Sequence, residues 1–236
     1  MDAQSEGMTQ TINFRCLPKY EPILPQPMPA KHGLPDWLRE MPASVFSKMV
    51  EHDVPTVKQC PPFIDAMTCG FLMLLPIDLI VDGLKLSWER NALGTKTPIS
   101  FHENIQAAET PFFDTDRPIV KFNNFWMIET PPDYSLLVTH PINRNDLPFV
   151  TLTGLVDTDC YNENFINFPA RWRDINFRGV LPRGTPVAQV IPVKRESWTA
   201  RFGTVGDEGA KRLLEVSGAM ASETGIYRKQ FRVSKR

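Results

Sequence analysis

Twenty-two prolines run through these 236 residues, about twice ordinary usage. Proline fixes φ and carries no backbone N–H, so each one interrupts a helix or confines a strand to a short or outer position. Their frequency argues against a helical bundle and for short strands joined by stiff turns. Prolines at 18, 22, 25, 27 and 29 predict an extended, irregular arm. Such an arm could cover a neighbouring chain or its own core, and both readings stand at this point.

The order of segments predicts a mainly β chain of three parts. Residues 1–60 form a Pro-rich N-terminal arm with short helices, after a frayed polar start at 1–11. Residues 61–198 form the core, and residues 199–236 a loop, a helix and a basic tail. In the arm, 12–17 reads as a short strand. Residues 36–41 read as a helical turn bracketed by Pro35 and Pro42, and 45–51 as a second short helix. Pro61 and Pro62 mark a break. The consecutive apolar residues Phe71 to Leu75 then suggest a central strand.

Further strands are expected at 84–88, 99–105, 119–122, 125–129, 135–139, 149–156, 164–168, 177–180 and 186–193, with loops such as 91–98 between them. Many short strands with Pro and Gly between them mean an all-β sandwich or barrel. Asp207 is the expected N-cap of a helix over 208–222, and Gly225 its stop. The last eleven residues hold five bases and no acid, a composition suited to a solvated end, to docking on a subunit or to phosphate backbones.

Hydrophobic residues make up 42% of the chain, enough to bury a core. A net charge of -1 gives no global attraction to nucleic acid. The four cysteines are scattered without a C-x-x-C pair, so a zinc ribbon is not expected. The start is polar without an apolar signal region. The longest apolar run is broken by Pro76, Asp78 and Asp82, too short to span a bilayer. These features predict a cytoplasmic protein with free thiols and no membrane partner.

Chemistry concentrates around Asp157 and Asp159. Carboxylates at i and i+2 on extended chain point the same way and could hold a metal or activate a water. The competing reading is a turn in which aspartate is a local acceptor. The histidines are dispersed, with no H-x-D pair. His140, close to Asn143 and Arg144, is the one beside the candidate site.

Three segments carry a resemblance. Thr130-Pro-Pro-Asp-Tyr resembles a Pro-x-Gly-Tyr turn. Gly154-Leu-Val-Asp-Thr-Asp-Cys-Tyr-Asn-Glu resembles Gly-x-Ile-Asp-x-Asp-Tyr-Arg-Gly-Glu. Leu181-Pro-Arg-Gly-Thr-Pro-Val-Ala-Gln resembles Arg-Gly-Asp-Arg-Ile-Ala-Gln. In this order they resemble the deoxyuridine triphosphatase (dUTPase) and deoxycytidine triphosphate deaminase family over residues 129–198, less than a third of the chain.

The resemblance implies a β-clip barrel, usually a homotrimer. It also implies Asp157 as general base, Asp159 at a Mg²⁺ site, and Tyr161, Gln189, Arg144, His140, Asn143 and Arg201 around a pyrimidine deoxynucleotide. Tyr161 is one place late, with Cys160 at the matching position. Arg144 lacks the Ser-Gly of the phosphate motif, and Pro186 stands where that family has arginine. Thr68-Cys-Gly-Phe-Leu keeps a glycine and an aromatic but lacks the family's aspartate. The chain as a whole also resembles a family shared by phages and proteobacteria.

These losses place a non-catalytic β-clip assembly or binding protein first, with no cofactor. It would be oligomeric, with a trimer favoured, and its partners would be phage structural proteins, in a virion if phage-encoded. The alternative is a Mg²⁺-dependent nucleotide hydrolase or deaminase using Asp157.

Overall fold

The computed structural model describes residues 10–90, 92–111, 114 and 119–233. Most of the polar start, Asn91 of the expected 91–98 loop and the last three residues of the basic tail lie outside the described residues. The chain divides into two compact units. One comprises the residues up to Asp36 together with Met67–Arg195, the other Trp37–Ala66 together with Glu196–Arg236.

The first unit is built on antiparallel sheets, as the proline-punctuated sequence predicts. A five-stranded sheet runs in the order Gly154–Val156, Tyr134–Thr139, Pro186–Lys194, Phe71–Leu74, Met28–Pro29. A four-stranded sheet runs Phe149–Thr151, Phe168–Trp172, Ile119–Phe122, Ile99–His102. Met73, Leu136, Val138, Ala188 and Val190 from the former share one buried cluster with Val120, Phe122, Phe149, Phe168 and Trp172 from the latter. The two sheets thus share one core, and the expected closed barrel does not form among the described residues. A three-stranded sheet adds Leu79, Val81 and Leu181 to the same cluster.

The central strand Pro186–Lys194 carries a register shift between Pro186 and Ala188 against Phe71–Leu74. The buried hydroxyl of Thr151 donates to Val187 O at the shift, 2.5 Å away. A carbonyl inside the core is thereby satisfied by the facing sheet. At Gly70, just before Phe71, φ is +69° and an added Cβ would stand 2.1 Å from Val190 O. Only glycine fits this turn into the central ladder.

Several local expectations are corrected. Residues expected as one strand over 149–156 are two, because the Leu152 N–H bonds Pro169 O and the chain then passes from one sheet to the other. The strand expected at 164–168 instead begins at Phe168 and runs to Trp172. Pro169 does not end it: Phe168, Ala170 and Trp172 continue a period-two burial past the proline. Pro61 and Pro62 open the helix Pro61–Met67, since the first turn of a helix has no use for their missing N–H groups.

In the second unit, the expected helix over 45–51 is a β-hairpin, Ser44–Ser47 against His52–Pro55. Val45 and Phe46 favour the strand, and Glu51 takes a left-handed φ of +57° in the turn. The helix at the C-terminus is present as Asp207–Ser222, capped by Gly206 rather than Asp207. The tail is anchored. Arg232 bonds both carboxylate oxygens of buried Asp65, at 2.7 and 3.2 Å.

Candidate functional site

The two aspartates do face one way, and what they face is Arg195. The chain turns at 157–161, where the N–H groups of Cys160 and Tyr161 bond Asp157 O at 3.1 and 2.8 Å. A second turn at 131–134 places Asp133 at a left-handed φ of +69°, a conformation aspartate tolerates better than most residues. Asp133 stands where the resembling family has glycine. Arg195 follows the strand Pro186–Lys194, and its N–H donates to Asp133 O at 2.8 Å.

Arg195 Nη1 donates to Asp159 Oδ1 at 2.9 Å, and Nη2 reaches Asp159 Oδ2. The Asp133 N–H adds a bond to Oδ2 at 3.1 Å. This fork-to-fork pairing holds the Asp159 carboxyl far below the usual carboxylate range and raises the Arg195 guanidinium. The Asp159 side chain is only 9% exposed, so both its oxygens are spent on the two turns.

Asp157 is different. Its side chain is 64% exposed, and Ser135 Oγ donates to Oδ1 at 2.6 Å. Below the pair, Thr130 Oγ1 donates to Tyr134 O at 3.0 Å, so the 2.7 Å contact with Thr158 has the Thr158 hydroxyl as donor. Tyr161 is exposed beside this cluster in sequence. The arrangement is a polar staple between two turns with one open carboxylate, Asp157. No group of three or more His, Cys, Asp or Glu side chains able to hold a metal occurs among the described residues.

His140, Asn143, Arg144 and Gln189 lie at the far end of the Tyr134–Thr139 strand. Five residues separate Ser135 from His140, about 17 Å along a strand. Arg144 binds Asp146 through Nε and Nη2, with contacts of 2.8 to 3.1 Å. Asn143 is exposed and turns the chain at a φ of +61°. Gln189 is 1% exposed. Its Nε2 donates to Cys69 O at 2.6 Å, and its Oε1 accepts from the Ile142 N–H at 2.9 Å. It clamps two loops across the central strand, with both ends of the amide engaged. Arg201 belongs to the second unit, in an exposed stretch without regular structure.

His140 is read from its partners. Thr151 N–H donates to Nδ1 at 3.3 Å, so Nε2 carries the proton donated to Arg144 O at 3.0 Å. Burial, the largest cause, lowers the ring's pKa. A lowered pKa means that the unfolded chain takes up a proton first. Stability is full above the unfolded value of about 6.5 and falls as pH drops below it. His140→Asn keeps an acceptor for Thr151 N–H and removes the titration. The variant should therefore lose less stability than the parent between pH 8 and pH 5.5 in urea titrations. Equal losses would mean that His140 is not held neutral.

Two residues escaped the sequence reading. Arg195 lies just past the expected strand end at Val193, and extending the ladder by two residues brings it opposite the 131–134 turn. Lys96, in the expected 91–98 loop, stacks its ammonium 4.2 Å from the Phe125 ring centre and 3.6 Å from that of Phe165. It also donates to Asn124 O. Burial pushes the amine down to about 8. No pattern in the sequence links Lys96 to rings 29 and 69 positions away.

No family model matches this chain, and no curated protein matches it.

Proposed function

We propose that this chain is a non-catalytic assembly protein, a β-clip type of core that joins copies of itself through its C-terminal segment. The observation that carries this reading is the helix Asp207–Ser222, none of whose 16 residues is buried. A helix of this length is marginal in water without a packing face. Leu213 and Leu214 are 62% and 73% exposed, and the preceding stretch holds Trp198 at 87% and Phe202 at 97%. Each aromatic offers about 150–250 Å². Val205, at 71%, adds a further exposed apolar side chain to the same segment. So many exposed apolar side chains within one short segment favour an interaction site there.

The resemblance supports a trimer and a place among phage structural proteins. The three resembling turns supply fold-defining contacts, which agrees with a core kept as scaffold. A Mg²⁺-dependent deoxynucleotide hydrolase finds less support, because Asp159, Arg144 and Gln189 are all engaged within the protein.

Light scattering tests the proposal. The parent should run as an oligomer at tens of micromolar, with three chain masses expected. Leu213→Glu combined with Leu214→Glu should reduce it to single chains. A parent that stays a single chain at every concentration overturns the reading.

A further inference from the structure

The second unit holds both an unseated apolar arm and an unfilled apolar socket. The socket is a cavity of about 700 Å³ between the Ser44–Pro55 hairpin and the residues that end the helix. Pro55, Met220 and Tyr227 give it an apolar lining, with Asp53, Glu223, Arg228 and Lys229 as charged members. Its far wall is firm. Tyr227 opens the turn Tyr227–Phe231, which the Arg232–Asp65 pair ties down at its end and the exposed Lys229–Glu223 pair, 2.5 Å apart, meets at its middle.

We infer that the socket receives the arm of a second copy, with Trp198 or Phe202 seated against Met220 and Tyr227. This deepens the assembly reading and rests on it. Three observations favour a second copy as occupant. First, both aromatics stand almost wholly in solvent in their own chain. Second, the arm joins the helix at Asp207 while the socket lies by Met220 and Glu223 at its end, and 16 residues of helix span about 24 Å. Third, Met220 in the lining gives a surface that adapts to an aromatic ring.

An arm in one copy and a socket in the next make a heterologous contact. Such contacts close into a ring where the rotation between copies permits.

Complementation distinguishes this from other interfaces. Trp198→Ser with Phe202→Ser removes the arm, and Met220→Arg fills the socket at a half-exposed position that the fold does not need. Each variant alone should run as single chains in light scattering. Mixed, they should form a species of two chains and no more, since the pair has one intact arm and one intact socket. If the parent is oligomeric but the mixture stays at single chains, the arm–socket contact is wrong while the assembly reading stands. A Met220→Arg variant that assembles like the parent also overturns the inference. A parent that is itself a single chain overturns both.

Discussion

Phe149→Ala is expected to cost about 4 kcal/mol of folding stability. Phe149 is fully buried where the four-stranded sheet faces the core. Its ring centre lies 4.7 Å from that of Phe122 and 6.0 Å from that of Trp172, with the His140 ring edge-on at 5.8 Å. Truncation removes the transfer free energy of the ring and opens a cavity. Its walls are paired strands, which cannot close inward without breaking ladder bonds. Whole domains are stable by about 5–15 kcal/mol, so this one change would consume a large fraction. Urea unfolding, read as the shift in midpoint at constant slope, measures it. A loss below about 1.5 kcal/mol would show that the site collapses around the missing ring.

Gln189→Leu is expected to cost about 3 kcal/mol. Leucine fills the volume but strands the Ile142 N–H and the Cys69 carbonyl, which the glutamine amide satisfies. A buried polar group without a partner costs about 1–3 kcal/mol. Gln189→Glu sharpens the test. Its second oxygen would face the Cys69 carbonyl, so it must hold a proton to bond there. The deficit of that variant should shrink as pH falls toward 5, while that of the leucine variant should not. An unchanged urea midpoint in Gln189→Leu would mean that the amide is not a clamp.

The strand-rich architecture was legible because prolines and short apolar runs act locally. Ile119–Phe122 and the C-terminal helix declare themselves in a few residues of pattern. Strand partition was less legible. Nothing local in 149–156 says that its halves serve different sheets; that depends on Pro169 O meeting Leu152 N–H. Residues 45–51 misled for a related reason. Their apolar spacing suits either element, and the pairing with His52–Pro55 decides it.

The candidate site was legible as residue types and not as geometry. Asp157 and Asp159 stand in a turn, not on the extended chain from which a shared direction was expected, and nothing local signalled the cation that meets both. Arg195 is 36 positions from Asp159, and only the ladder with Tyr134–Thr139 brings the two together. His140 and Asn143 lie close to Asp157 in sequence, yet the strand between them holds them a strand's length apart.

The outermost position of the five-stranded sheet has a consequence for how copies can meet. Met28–Pro29 is two residues long, and Pro29, opposite Phe71, has no N–H to offer a further strand. On the other flank, Gly154–Val156 is three residues long. Neither border provides a run of main-chain donors and acceptors on which an incoming chain could template itself. At both borders of this sheet the ladder therefore ends within the chain, and main-chain extension by a further strand is disfavoured there.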